Sequence, residues 1–140
     1  MRNTSDEQAP LYPYHQKIRI NHKVKKMKLA KFVALLGAVA QGGILIYGFT
    51  QGNFGAAGQF FFNDPWGIVS LVDVYVGFMF FSAWVIFREK NLLVALLWVV
   101  AIIILGNFPA GVYAFLALQN SGDSWKHFWM GKHAAEKVEA

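Results

Sequence analysis

The chain has 140 residues, of which 56% are apolar and only 15% are charged, whereas soluble domains carry roughly 25% charged residues. Its net charge of +5 is concentrated beside apolar runs and accompanies no nucleic-acid-reading motif, so nucleic acid is excluded as the expected partner. Cysteine is absent, which excludes disulfides and thiolate chemistry. These totals predict one small all-α integral membrane domain whose first partner is the lipid bilayer.

Residues 1–28 are predicted to form a flexible, basic N-terminal tail. The first part carries two prolines and no hydrophobic periodicity, and residues 17–31 contain seven basic side chains and no acidic one. Such a basic segment beside an apolar run is retained on the cytoplasmic side of a membrane. We therefore expect a cytoplasmic N-terminus.

The transmembrane domain is predicted over residues 29–118, and its first helix over residues 29–49. Small residues recur there at helical spacing, which allows close helix packing in lipid, and Gln41 is the only strongly polar interior side chain. The connection at 50–63 is rich in Gly and Phe and has no Lys or Arg, which places it on the non-cytoplasmic side.

A second transmembrane helix is predicted over residues 65–87. Asp64 can accept hydrogen bonds from the first free amides, and Pro65 occupies the first position, where its missing N–H has no consequence. Trp66 and Trp84 lie near the two ends, as membrane-interface aromatic residues do. The charged run 88–90 then predicts a cytoplasmic turn.

The third apolar stretch, 91–118, has 28 residues and would extend about 42 Å as one straight helix, longer than a hydrocarbon core of roughly 30 Å. We expect one long helix, kinked near Asn107 and Pro109 because proline removes a backbone hydrogen bond. The alternative is a break at Gly106–Asn107 followed by a short fourth element from Pro109 onwards.

Residues 119–140 are predicted to be a C-terminal tail with an amphipathic segment. Trp125, Phe128 and Trp129 fall on one helical face, which favours a short helix on the membrane surface. Three spans with a cytoplasmic N-terminus put the C-terminus outside. The distribution of Lys and Arg predicts a multi-pass protein of the inner (plasma) membrane.

Three helices each bring one strongly polar side chain to the outer half of the membrane, namely Gln41, Asp73 and Asn107. We expect these to form one hydrogen-bonded cluster, with Ser70 on the helical face of Asp73. Such a cluster can join helices or, with a carboxylate at its centre, bind a proton or a cation. We favour the joining role, because the spans contain no second ionisable group.

The sequence predicts no catalytic, cofactor or metal site. None of the four histidines falls within a predicted span, and His127 and His133 are six residues apart, which does not align two ligands on one helical face. No phosphate-binding glycine motif or nucleophile–base arrangement is present. We therefore expect a protein that is not an enzyme.

The chain resembles an uncharacterised family of small bacterial and plant membrane proteins, classed as a domain of unknown function. The resemblance covers about residues 43–118 and rests on Asp64-Pro65-Trp66-Gly67, Asp73-x-Tyr75, Ser82-Ala83-Trp84-Val85 and Arg88-Glu89-Lys90. It implies three or four membrane helices and no known activity. Its implied signature positions are Asp64, Pro65, Trp66, Asp73 and Trp84.

Taken together, the residues favour an accessory or assembly subunit of a larger membrane complex, bound to other membrane protein subunits or to copies of itself. Three short helices enclose little volume for a substrate path. The alternative is an oligomeric small transporter or channel in which Asp73 lines the path.

Overall fold

A computed structural model describes the backbone of residues 12–138 and the side chains of residues 24–134. This part of the chain is entirely helical, as predicted, and contains no strand. Six α-helices and a C-terminal 3₁₀ helix follow one another: α1 Tyr12–Gln51, α2 Phe54–Asn63, α3 Pro65–Arg88, α4 Leu92–Leu105, α5 Asn107–Gln119, α6 Trp125–Met130 and the 3₁₀ helix Gly131–Val138.

The first helix is longer than expected at its N-terminal end. The predicted flexible tail, 1–28, is helical from Tyr12 onwards and continues without a break into the apolar segment. Lys and Arg are good helix formers, and no Gly or Pro occurs between Tyr14 and Leu36 to interrupt them. The remainder of the predicted tail, 1–11, lies outside the described residues.

Two helices are long and apolar enough to cross a membrane, which suggests a membrane protein. They are Val24–Gln51 in α1, with 28 residues, and Pro65–Arg88, with 24. In their most apolar windows only 6% and 17% of the residues are buried within the chain. The core helix of a soluble protein would bury its apolar face far more completely.

The predicted third span is a helical hairpin. Helix α4 ends at Leu105 and α5 begins at Asn107, with Gly106 between them at φ 69° and ψ −138°, a conformation reserved for glycine. The Trp98 and Tyr113 rings, at nearly equal distances from Gly106 along the chain, lie 5.2 Å apart. The two helices therefore run side by side in opposite directions.

The expectation of one kinked helix over 91–118 was thus wrong, and the alternative of a break at Gly106–Asn107 describes the chain. Pro109 lies in the first turn of α5, where no intrahelical partner is lost, so it helps to begin a helix instead of kinking one. At 14 and 13 residues, α4 and α5 reach only about 20 Å each. A third span is not confirmed.

Helix α5 packs along α1 in the opposite direction. Phe108 lies against Gly42 near the start of α5, while Ser121, just beyond its end, contacts Met27 with Oγ and Sδ 3.9 Å apart. The two helices also approach closely at Gly111, where an added Cβ would lie 3.1 Å from the Ala38 Cβ. Small side chains on both helices make this approach possible.

The C-terminal segment returns to the basic end of the bundle. Lys31 Nζ lies 3.2 Å from Asp123 Oδ1, and the Arg88 side chain donates to the Phe128 carbonyl. The prediction that the two ends of the chain lie on opposite sides was therefore wrong, because the hairpin crosses only part of the bundle and comes back. All described Lys and Arg side chains lie in segments at this one end: Lys25, Lys26, Lys28, Lys31, Arg88, Lys90, Lys126 and Lys132.

The predicted short helix near the C-terminus is confirmed as α6. Ser124 precedes it, and its Oγ accepts a hydrogen bond from the His127 amide at 3.4 Å. Phe128 is buried and Trp129 is exposed. The helix thus closes the basic end of a core whose buried members come from five helices: Met27, Phe78, Val85, Ile102, Ala110, Tyr113, Ala117, Leu118 and Phe128.

Candidate functional site

The clearest polar feature of the long helices is Asp73, which lies on the outward face of α3. The buried Ser82 is nine positions further along, and nine steps of about 100° make two and a half turns, which puts the two residues on opposite faces of the helix. Its side chain is exposed and borders an open, apolar cavity of about 390 Å³. The other lining residues are Ile68, Val69, Val72 and Val76.

Within the described chain Asp73 forms no hydrogen bond and no ion pair. It is the ninth residue of a 24-residue candidate span, about 12 Å from the first residue, Pro65. An ionised carboxylate at the centre of a lipid-facing helix costs about 2.5–3.5 kcal/mol. In a membrane, this position would call for water or protein beside the carboxylate.

The predicted polar cluster does not form within one chain. Gln41 and Asn107 do approach one another, since both line a cavity of about 300 Å³ between α1 and α5, but no hydrogen bond joins them among the described residues. Ser70 Oγ instead donates to the Trp66 carbonyl, 2.8 Å away. Asp73 borders a different cavity.

The short hairpin explains why Asp73 is left out of this cluster. The tip of the hairpin, Gly106, reaches only the level of the Phe78 ring, whose Cζ is 3.4 Å from where a Cβ of residue 106 would lie. The first turns of α3 extend beyond that tip, and α2 packs beside them at Gly67. The outer half of α3 therefore keeps an open face.

The signature residues at the start of α3 have the expected local role. Asp64 Oδ1 accepts hydrogen bonds from the Trp66 and Gly67 amides at 2.8 and 3.3 Å, and Pro65 is the first residue of the helix. These contacts compensate for two amides that have no intrahelical partner. The predicted N-cap is confirmed, and the Trp66 side chain is 77% exposed.

Arg88 forms a buried polar network that the sequence analysis missed. Its Nε donates to the Phe128 carbonyl at 2.9 Å, and its Nη2 lies 3.5 Å from the Ala117 carbonyl oxygen. Nη1 donates to Tyr113 Oη at 3.2 Å and to Glu89 Oε1 at 3.3 Å, while Tyr113 Oη donates to the same carboxylate oxygen at 3.0 Å. The guanidinium thereby joins α3, α5 and α6.

Aromatic rings pack against this network, and a cavity of about 480 Å³ borders Arg88 and Glu89. Trp84, the last signature residue, packs its ring 5.6 Å from Tyr113 and 5.3 Å from Phe128, and its Nε1 donates to the Trp129 carbonyl at 3.2 Å. The concentration of aromatic residues after Asn120 was the available signal for this packing. Their spacing predicts a helix on the membrane surface, and the charged run 88–90 predicts a cytoplasmic turn, so neither pattern indicates this packing.

The guanidinium of Arg88 is occupied by protein acceptors, and among the described side chains no group of three metal-ligating residues comes together. Asp73 on α3 and the amides of Gln41 and Asn107 are among the described polar side chains that have no partner within the chain. All three can form hydrogen bonds with a neighbouring molecule.

The fold and these sites define a small helical protein with two candidate spans and a folded-back C-terminal segment. A family model, protein of unknown function (DUF1475), matches residues 25–127, so the chain belongs to this family. The expected membership of an uncharacterised family is confirmed, whereas the signature pattern stays a prediction. No curated protein and no solved structure matches the chain.

Proposed function

We propose that this protein is a non-enzymatic integral membrane protein and acts as an accessory or assembly subunit of a larger membrane complex. We place it in the inner (plasma) membrane, with the basic end in the cytoplasm. The two apolar helices and the collection of the described Lys and Arg at one end support this placement, because basic residues are retained on the cytoplasmic side.

The observation that carries the proposal is the exposed, unpaired Asp73 within a helix long enough to span. A lipid-facing carboxylate is costly, and intramembrane acidic residues almost always face protein or water. Contact with another membrane protein removes the cost by supplying hydrogen-bond donors. The outer half of α3 thus has the properties of a contact surface.

The dimensions of the bundle also favour an accessory role over an independent one. Two helices can span, while the hairpin of α4 and α5 extends about 20 Å along them. Such an arrangement leaves little volume for a substrate path across the bilayer within one chain. Large apolar side chains remain exposed along α1 and α3, where partner helices or lipid can cover them.

The experiment that tests the proposal is extraction from native membranes into nanodiscs, followed by native mass spectrometry. We expect the chain in a stoichiometric complex with other subunits or copies, and we expect Asp73→Leu to reduce that association. Gln119→Leu, at an exposed position near the end of α5, is the control for a general effect of the substitution. A monomer at native expression level would refute the proposal.

The open cavity beside Asp73 favours a second candidate, an oligomeric transporter or channel in which this carboxylate lines the path. In that case Asp73→Asn would abolish flux in proteoliposomes and leave the assembly intact. A subunit without transport function would give no flux above that of protein-free liposomes, either as the wild type or as Asp73→Asn.

A further inference from the structure

We propose that the face of α3 that carries Asp73 binds a second copy of the chain, with the two α3 helices parallel about a two-fold axis along the membrane normal. This inference rests on the proposed function, in which the same face is a protein contact. It identifies a second copy of the chain as the protein that covers this face. Four features of α3 carry it.

The first feature is the spacing of the exposed residues. Six positions on one face of α3 alternate in steps of three and four residues, and each is exposed in the single chain. This is the heptad pattern of two parallel helices, with a and d positions facing the partner. We call these six residues the α3 seam: Trp66, Val69, Asp73, Val76, Phe80 and Ala83.

The second feature is the position of the polar residue within the α3 seam. Asp73 occupies the central a position, between Trp66 and Phe80, and the five other members are apolar. A single polar residue at an a position fixes the register and the number of helices in a coiled coil. Asp73 has the required place for this role.

The third feature is depth. Rotation about an axis along the membrane normal leaves the depth of every atom unchanged, so two copies bring their Asp73 side chains to the same level. One carboxyl group can then donate its O–H to an oxygen of the other. The Asp73 carboxyl group, which has no partner in one chain, thereby gains a hydrogen-bond partner in the dimer without a basic residue.

The fourth feature is the absence of competing structure on this face. The hairpin tip reaches only the level of Phe78, and α2 contacts α3 at Gly67, about 200° around the helix from Val69. The outer half of the α3 seam is therefore exposed in the single chain. Val69 and Val76 remain 54% and 40% exposed. A partner helix can therefore approach without any rearrangement of the chain.

The test uses cysteine cross-linking in native membranes, which the chain permits because it has no cysteine of its own. Val76→Cys lies on the α3 seam, and Val74→Cys is its matched control. The two valines have similar exposure, 40% and 45%, but are about 200° apart around the helix. Mild oxidation should give a disulfide-linked dimer of Val76→Cys and leave Val74→Cys monomeric.

A second measurement isolates the carboxyl pair. In detergent titrations of self-association, Asp73→Asn should keep the affinity within a few-fold, because two amides can also donate and accept across the pair. Asp73→Val should weaken the association about 5–30-fold, the range of polar contacts between membrane helices. An unchanged affinity for Asp73→Val would overturn the role of the pair.

The outcomes separate this inference from the proposed function. If Val76→Cys fails to cross-link, or Val74→Cys cross-links equally well, the second copy is refuted as the occupant of the α3 seam. An Asp73-dependent complex with another membrane protein in the native extraction would then still support the subunit function. A monomer in that extraction would refute both.

Discussion

Removing the side chain of Arg88 should release the C-terminal segment from the bundle. In Arg88→Ala the carbonyls of Phe128 and Ala117 lose their donors, and the carboxylate of Glu89 loses its charge partner. The Arg88 and Glu89 side chains are only 10% and 15% exposed, so water does not readily replace these contacts. The structure therefore predicts a large effect from one truncation.

Removing one member of a buried ion pair typically costs 3–5 kcal/mol. Because a small part of both side chains remains in contact with solvent, we expect the lower end, about 3 kcal/mol in the free energy of unfolding. Arg88→Lys should lose part of this amount, since a single ammonium cannot reproduce the planar fork that contacts three elements. Its stability should fall between those of the wild type and Arg88→Ala.

Two assays measure this effect. The free energy of unfolding is obtained by titration with a denaturing detergent in mixed micelles. Release of the C-terminal segment is measured by thiol labelling of a reporter, Ala134→Cys, whose position is buried in the intact bundle. Labelling should rise in Arg88→Ala relative to the reporter alone. Two results together would refute the anchoring role: equal labelling of the reporter with and without Arg88→Ala, and a decrease in the free energy of unfolding below about 1 kcal/mol. A decrease of that size is typical of ion pairs on a protein surface.

Three further predictions concern single contacts. Lys31→Ala should change the free energy of unfolding by less than about 1 kcal/mol, because the pair with Asp123 is 26% and 43% exposed; a larger loss in the same titration would contradict this estimate. Asp64→Ala should cost about 1 kcal/mol through loss of the N-cap of α3, and Asp64→Asn should restore most of it. Gly106→Ala should cost about 1–3 kcal/mol because of the backbone angles at this residue, and a neutral effect would argue against the hairpin turn.

Local features of the fold were predictable from the sequence. The start of α3 follows from Asp64 and Pro65, whose effects act within one turn, and α6 follows from Ser124 and the spacing of the aromatic residues after it. The apolar length of α1 and α3 likewise depends only on neighbouring residues. These elements are where the structure and the sequence analysis agree.

The hairpin and the Arg88 network depend on contacts between distant parts of the chain. Glycine accepts both signs of φ, so the reversal at Gly106 is decided by the packing of α5 on α1 and not by its neighbours in sequence. Three of the four acceptors of Arg88 lie 25–40 residues later in the chain. The predicted cluster around Asp73 does not form within one chain for the same reason, because it placed Asn107 on a single long third helix and the structure has the short hairpin of α4 and α5.

The most direct test of the central claim, that the outer face of α3 is covered by protein, is thiol labelling in native membranes under reducing conditions. Val69→Cys lies on the α3 seam, and Ile46→Cys on α1 is the control; the two side chains are 54% and 68% exposed in the single chain. The account predicts that a lipid-soluble maleimide labels Ile46→Cys and leaves Val69→Cys largely unlabelled. Equal labelling of both positions would mean that α3 faces lipid, and would contradict the account.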